Sequence, residues 1–467
     1  MRRSPPSLRL CALALAAALA GCTTFSPDGG QDQVRQLAAA RGQPIPAVAP
    51  SARQAHIAAL LGAPLTPTAA VDIALLNNPA LQAGYAELGI AEADLVQASR
   101  VPNPVFTFSR LRGRDGVEIE RQLMLPVMGL LTMPLARPLE ARRFEAAQLR
   151  TAAEALRIAD ETRRAWYAAV AAEQSATYME QVKSAAEASA SLARRMADAG
   201  NWSRLQQARE QAFYADAVAQ LARARHARTV EREQLTRLMG LWGQDTAFRL
   251  PERLPELPPA PRALPDAEAQ AMANRLDVLM AQKELAGLAS SLGLTRATRF
   301  VNLLDLSWLR SQGADGSRAN GYEIELQIPL FDWSGARVAR AEAMYLQAAQ
   351  RAAGIAIDAR SQVRESYSGY RTAYDLARHY RDEIVPLKKR ISDEQLLRYN
   401  GMLISVFELL ADAREQVASV NAAIEAQRDY WIADAALQAA LTGSGGRSAT
   451  LRGPTGAAGN GAGAAQH

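Results

Sequence analysis

Apolar positions along this chain follow a helical period over most of its length and a strand period in four short stretches. Leu149, Ala152, Leu156, Ala159, Trp166 and Val170 approximate a heptad seam that Arg163 interrupts, and Val363, Tyr367, Tyr370, Tyr374 and Ala377 make a matching stripe farther on. From Leu139 to Ala199 there is neither Gly nor Pro, so at about 1.5 Å per residue that run could reach roughly 90 Å. Residues 201–239 and 402–442 are similarly uninterrupted, whereas an ordinary globular helix runs about 11–12 residues. Gly354, Gly369 and Pro386 predict that the long helix before Gly401 is broken or bent. The strand period shows at 104–112 and 116–126, and again at 299–310 and 321–331. Phe106 and Phe108 alternate with Val105, Thr107 and Ser109; Ile324, Leu326 and Ile328 alternate with Glu323, Glu325 and Gln327. One apolar and one polar face mark a strand between unlike environments. The connectors "GRDG" and "GADGSRANG" are turn-rich, so two hairpins are predicted.

The pattern occurs twice. Each half reads as a short helix, two strands, a long helix, a glycine and a second long helix. "NPALQAGYAELG" from Asn78 is echoed by "RLDVLMAQKELAG" from Arg275, and "VEIERQLMLPV" (117–127) by "YEIELQIPLFD" (322–332). Trp166 and Tyr367 are 201 positions apart, and so are Gly200 and Gly401, which points to duplication. The two glycines are predicted to end one helix in a left-handed conformation and let the chain reverse. The expected organisation is a leader at 1–21, an N-terminal linker at 22–65, a first repeat at 66–245, a proline-rich connector at 246–265, a second repeat at 266–443, and a disordered Gly/Ala-rich tail at 444–467. Asp266 is the expected N-cap of the helix that opens the second repeat.

Composition narrows the function. Alanine supplies much of the 49% hydrophobic content, and such small residues let helices approach closely. Part of the formal net charge of +5 sits at the chain ends, on Arg2, Arg3, Arg9, Arg447 and Arg452. No basic cluster interleaves with aromatics, which argues against nucleic acid as a partner. His56, His226, His379 and His467 are scattered without metal spacing, and no P-loop, dinucleotide fingerprint or nucleophile elbow occurs. The acid pair Glu231 and Glu233 belongs to a charged helical surface. The expectation is a protein that is not an enzyme and needs no cofactor or metal. Met124, Met128 and Met133 cluster near the second strand; a soft-metal path is conceivable there, but packing or lipid contact is the usual role of Met.

The N-terminus adds an anchor. Arg2 and Arg3 precede the apolar "LRLCALALAAALAG", which is too short to span a membrane. Leu19-Ala20-Gly21-Cys22 resembles a bacterial lipobox, in which the cysteine sulfur is acylated and the chain is cut before it. Thr23 and Thr24 follow with no Asp, which resembles the outer-membrane sorting pattern. Cys11 would leave with the leader, so Cys22 is the expected lipidation site and the only lasting thiol. No other segment has about eighteen uninterrupted apolar residues. A β-barrel stays open as a way across a membrane, although four strands cannot close one alone.

Leader, duplicated halves, two hairpins and four long helices occur together with "ALLNNPAL" (74–81), the two glycine tips and "VFELLADAREQ" (406–416). In that order they resemble the TolC-type outer-membrane efflux factors of the lipoprotein kind, over residues 66–443. The resemblance implies a mainly α fold with a β-barrel part. Three copies would form a homotrimer, each giving four strands to a twelve-stranded outer-membrane barrel and a share of a long α-helical coiled-coil barrel in the periplasm. It implies a passive exit duct of a tripartite efflux or secretion system, with a periplasmic adaptor protein, an inner-membrane transporter and outer-membrane lipid as partners. The alternative is a non-conducting coiled-coil structural lipoprotein of the envelope, for which amphipathic hairpins would have no use. Gly200 and Gly401 would lie at the helix-hairpin tips farthest from the membrane, with Asn201, Trp202 and Met402 beside them as adaptor contacts.

In the resembled family the tunnel closes near these tips, partly through acids on the helix after the second tip. Here that helix carries an apolar stripe of Leu403, Val406, Phe407 and Leu410 and an acidic stripe of Glu408, Asp412 and Glu415. Counted from Gly401, the family's acidic positions fall on Phe407 and Leu410. The candidate pore gate is therefore Phe407 or Leu410 as the constriction and Glu408 or Asp412 as its charge. The first-half positions matching those acids are Gln207 and Gln211, so any acidic ring is expected from the second half alone.

Overall fold

The computed structural model describes residues 24–114, 116–297, 304–326, 335–404 and 406–444, with the side chains of 135, 294, 297, 406–408 and 410–413 outside that description. The elements are helices α1 (Gln31–Ala39), α2 (Arg53–Leu61), α3 (Pro67–Asn77) and α4 (Pro79–Ala98); strands β1 (Val105–Gly113) and β2 (Gly116–Pro126); and helices α5 (Val127–Asp198), α6 (Arg204–Met239), α7 (Ala267–Asn274) and α8 (Leu276–Ala297). Strands β3 (Leu304–Gln312) and β4 (Arg318–Leu326) follow, then helices α9 (Gly335–His379), α10 (Val385–Asn400) and α11 (Val406–Thr442), with a π-helical turn at Tyr380–Ile384 between α9 and α10. The duplicated order expected from the sequence is present. Among the described residues no helix is long and apolar enough to cross a membrane.

The chain divides into two compact units, residues 1–37, 83–152 and 277–356 in one, and 38–82, 153–276 and 357–467 in the other. In the first, the two hairpins join into one antiparallel sheet of order β1-β2-β3-β4. Val105 lies opposite Met124, Leu123 opposite Trp308, and Trp308 opposite Tyr322. Helices below it are tied by polar contacts: Arg142 donates to Ala286 O (3.1 Å), and Lys283 pairs with Glu145 (2.8 Å).

The second unit holds the aromatic core. Tyr370, Tyr374, Tyr430 and Leu437 are buried together with Ala373, Ala377, Ala426 and Ala433, and alanine at so many positions lets the helices close on one another. Tyr374 donates its hydroxyl to Pro259 O (2.9 Å), and Trp431 donates to Pro255 O (3.0 Å), so the proline-rich connector is held by side chains where proline nitrogen cannot donate. The first sequence seam is buried, with Leu149, Ala152, Leu156, Ala159, Trp166 and Val170 on α5; of the second, on α9, Val363, Tyr370, Tyr374 and Ala377 are buried and Tyr367 is half-buried. Asn78 and Arg275, which open the two echoing stretches, do the same job. Asn78 donates to Leu238 O (2.8 Å) near the end of α6, and Arg275 to Ala440 O (2.8 Å) near the end of α11. Each satisfies a carbonyl that a helix end leaves orphaned.

Three local expectations change. Helix α5 starts at Val127 and continues through Pro134 and Pro138, earlier than the proline-free run suggested. Helix α9 passes through Gly354 and Gly369 without interruption, and the irregularity falls instead at Tyr380–Ile384, just before Pro386. Pro386 lacks an N–H and its ring crowds the carbonyl four residues back; the wider turn, in which Val385 N reaches Tyr380 O, takes up that defect. Asp266 does stand at the N-cap position of α7, but its side chain makes no capping bond.

Candidate functional site

Two places carry functional geometry, the sheet and the tips of the helix hairpins. Strand alternation and register sort the sheet's side chains into two faces. On one face Phe106, Leu123, Trp308 and Tyr322 form a cross-strand row, with Leu125, Leu306 and Ile324, and then Leu304 and Leu326, on the side away from the turns. These side chains are largely exposed, Tyr322 at 79% and Phe106 at 65%. Toward the turns the same face continues as Phe108, Arg121, Arg310 and Asn320, then Arg110, Ile119, Gln312 and Arg318, then Arg112 and Val117. The other face carries Thr107, Ser109, Gln122, Ser307 and Ser311 and every strand acid: Glu118, Glu120, Asp305, Glu323 and Glu325. Gln122 donates to Glu323 Oε2 (3.2 Å) across the intervening strand, which confirms that they share a side. Five arginines thus lie on one face and five carboxylates on the other. The expected apolar/polar alternation is present; the separation by sign was missed. Its signal was in the sequence, since Arg110 and Arg112 continue the phase of Phe106 and Phe108. Met124 lies on the polar face, while Met128 and Met133 belong to α5.

At the first tip the expectation holds. Gly200 has φ 76°, its N–H donates to Ala197 O (3.0 Å), and Asn201 N donates to Met196 O (2.9 Å). These are the two bonds of a Schellman stop, which needs a left-handed residue. Helix α6 then opens with a capping box: Gln206 N donates to Ser203 Oγ (3.2 Å), and Ser203 N to Gln206 Oε1 (2.7 Å).

At the second tip the left-handed residue is not Gly401, which has φ −81° and ψ 5°, but Met402, with φ 57°. Met402 N donates to Tyr399 O and Leu403 N to Arg398 O, both 2.9 Å, the same pair of bonds one residue later. The structural counterpart of Gly200 is therefore Met402, 202 positions on, whereas Trp166 and Tyr367 are 201 apart. The π turn at Tyr380–Ile384 lies between those two points and uses one more residue than an α turn, which accounts for the slip. Asn201, Met402 and Leu403 are exposed, Met402 at 93%, but Trp202 is half-buried rather than exposed.

The slip also changes the gate comparison. At an offset of 202, Glu408 matches Gln206 and Asp412 matches Glu210, an acid in the first half. Glu210 is 1% exposed; Ser189 Oγ donates to it at 2.8 Å and Arg414 at 3.0 Å, with the Arg414 guanidinium 4.4 Å from the Phe213 ring centre. Glu415, the third acid of the predicted stripe, pairs with Lys388 of α10. The side chains of Phe407, Glu408, Leu410 and Asp412 lie outside the described residues, and so does Cys22. Among the described residues no cluster of His, Cys, Asp and Glu has the form of a metal site.

No family model matches the sequence, and no curated protein matches it. Solved structures do. The Campylobacter jejuni CmeC outer membrane channel superposes with TM-score 0.71 at 16% identity, covering 81% of this chain and 86% of that one. A membrane protein from Pseudomonas aeruginosa gives 0.70 at 20% identity, over 80% and 92% of the two chains. The open state of the Neisseria gonorrhoeae MtrE outer membrane channel gives 0.66 at 17% identity, over 80% and 88%. The fold of this chain is that of the TolC-type outer-membrane channels.

Proposed function

We propose that the chain is the outer-membrane exit duct of a tripartite efflux or secretion system, conducting substrate passively from an adaptor and an inner-membrane pump to the exterior. The observation that carries the reading is the two-faced sheet. Its apolar, aromatic face is exposed in the single chain, its opposite face is acidic and polar, and β1 and β4 each leave one edge unpaired. Lipid accepts the first face and water the second, but hydrocarbon does not tolerate the open edges. Three copies joined β4 to β1 would close twelve strands and put the carboxylate face on the lumen. The likeness to outer-membrane channels supports the same assembly.

Within this reading Cys22 is the lipid anchor, and the tips presenting Asn201, Met402 and Leu403 are the adaptor contacts. The gate is formed by α11. Counted from Met402 rather than Gly401, the acidic positions implied by the resemblance move onto Glu408 and Ala411, so an acid does stand at the first of them. Phe407 or Leu410 would narrow the pore, and Glu408 or Asp412 would set its charge. The purified protein should be trimeric in mild detergent and give discrete conductance steps in planar bilayers. A stable monomer without conductance would overturn the proposal.

A further inference from the structure

The arginine rows of the sheet's apolar face have no use in conduction, because they lie on the side away from the carboxylates. Arg121 and Arg310 are direct cross-strand neighbours. Opposed side chains on such a pair start about 5 Å apart, and like charges there are destabilising. Among the described residues no strand acid shares the face, and none of Arg110, Arg112, Arg121, Arg310 and Arg318 makes an ion pair with a described residue. Asp315, in the turn beside them, is engaged by Ser317 N at 2.9 Å. The Arg121 guanidinium sits 5.9 Å from the Phe108 ring centre, which holds it upright beside Arg310.

The order of rows adds a direction. The aromatic row of Phe106, Trp308 and Tyr322 comes first, and the two rows containing four of the arginines follow at about 7 Å per row toward the turns. Aromatic rings take the boundary between hydrocarbon and headgroup, so the guanidiniums beyond them stand at headgroup depth. A guanidinium binds phosphate oxygens through two parallel N–H bonds, and two adjacent ones suit a doubly charged phosphate.

We propose that this band is a binding site for lipid headgroups bearing anionic phosphate, in the leaflet that meets the turn end of the sheet. The proposal rests on the reading of the apolar face as lipid-facing. The bound phosphate offsets the Arg121–Arg310 repulsion, and its acyl chains lie along the apolar rows.

The test reconstitutes the full-length protein in phosphatidylcholine bilayers containing diphosphoryl lipid A or, at equal mole fraction, its dephosphorylated analogue. Lipid retained per protomer after gentle extraction is counted by native mass spectrometry, and conductance is recorded on the same samples. Retention of the phosphorylated lipid should exceed that of the analogue by at least about tenfold, since each arginine near a charged surface contributes on the order of a fivefold factor. Arg121→Gln with Arg310→Gln should cut that preference at least about fivefold while conductance persists, which shows that the sheet has formed. Arg121→Lys with Arg310→Lys should fall between, having charge without the planar fork. Glu120→Gln with Glu323→Gln, on the opposite face, should retain lipid as the native chain does. Equal retention of both lipids by the native chain, or undiminished preference in a conducting Gln variant, overturns the proposal. Complete displacement by inorganic phosphate also overturns it, because the site would then read a free anion. Loss of conductance in the native chain refutes the duct reading instead.

Discussion

The second hairpin tip allows a clean test, because Met402 is 93% exposed and its replacement changes almost no packing. A non-glycine residue in the left-handed region costs about 1–2 kcal/mol. Met402→Gly removes that cost and returns about 0.5–1 kcal/mol through the greater freedom of glycine in the open chain, leaving a net gain of about 0.5–1 kcal/mol. Met402→Ala keeps the left-handed backbone and should change little. Gly401 has an ordinary negative φ, and a Cβ there meets nothing closer than 3.6 Å, so Gly401→Ala should stabilise by about 0.4–1 kcal/mol. Gly200 also has free space around a Cβ, yet its φ of 76° is left-handed, so Gly200→Ala should cost about 1 kcal/mol. The assay is amide hydrogen exchange of the last turns of α5 and α10, where 1 kcal/mol changes the opening equilibrium about fivefold. Exchange should slow in Met402→Gly and Gly401→Ala and quicken in Gly200→Ala. If Gly401→Ala quickens exchange as much as Gly200→Ala does, Gly401 is the true stop and the one-residue slip assigned to the π turn is wrong.

Three further outcomes are expected. Arg414→Met strands the buried Glu210 carboxylate with only Ser189 and should destabilise α11 by about 2 kcal/mol, less than a fully buried pair because Arg414 is 37% exposed; adding Glu210→Met should restore most of the loss in a denaturant or exchange measurement. Burial raises the Asp160 carboxyl to about 6 although Arg164 lies at 2.6 Å and pulls the other way. The folded chain therefore holds that proton more tightly than the unfolded one, stability from this group falls as pH rises from about 4 to about 6, and Asp160→Asn should remove roughly 3 kcal/mol of that pH dependence in thermal unfolding. Cys22→Ser should abolish labelling by radioactive palmitate and slow processing, and equal incorporation by native and variant chains would remove the lipid anchor.

Much of this architecture was legible because it is local. The absence of Gly and Pro from 139–199 and 402–442, the seams through Trp166 and Tyr370, and the alternation around Phe106 and Ile324 are statements about neighbours along the chain, and the elements follow from them. The echo between Asn78 and Arg275 was legible for the same reason, and the structure gives both side chains one task at the ends of α6 and α11. What the tertiary structure decided depends on register between distant residues. Gly401 drew the eye as a stop because glycine is the residue a left-handed position prefers, but a turn widened around Pro386 shifted the helix by one residue and put Met402 there. That shift is invisible to composition, and it alone reassigns Asp412's partner position from Gln211 to Glu210. The arginine band likewise needed strand pairing: Arg121 and Arg310 are 189 residues apart in the chain, and only the β2–β3 ladder makes them neighbours whose repulsion something must offset. Periodicity fixes which face of its own element a side chain takes, while the energy of a charge depends on what lies across from it, and that is set by contacts between segments far apart in sequence.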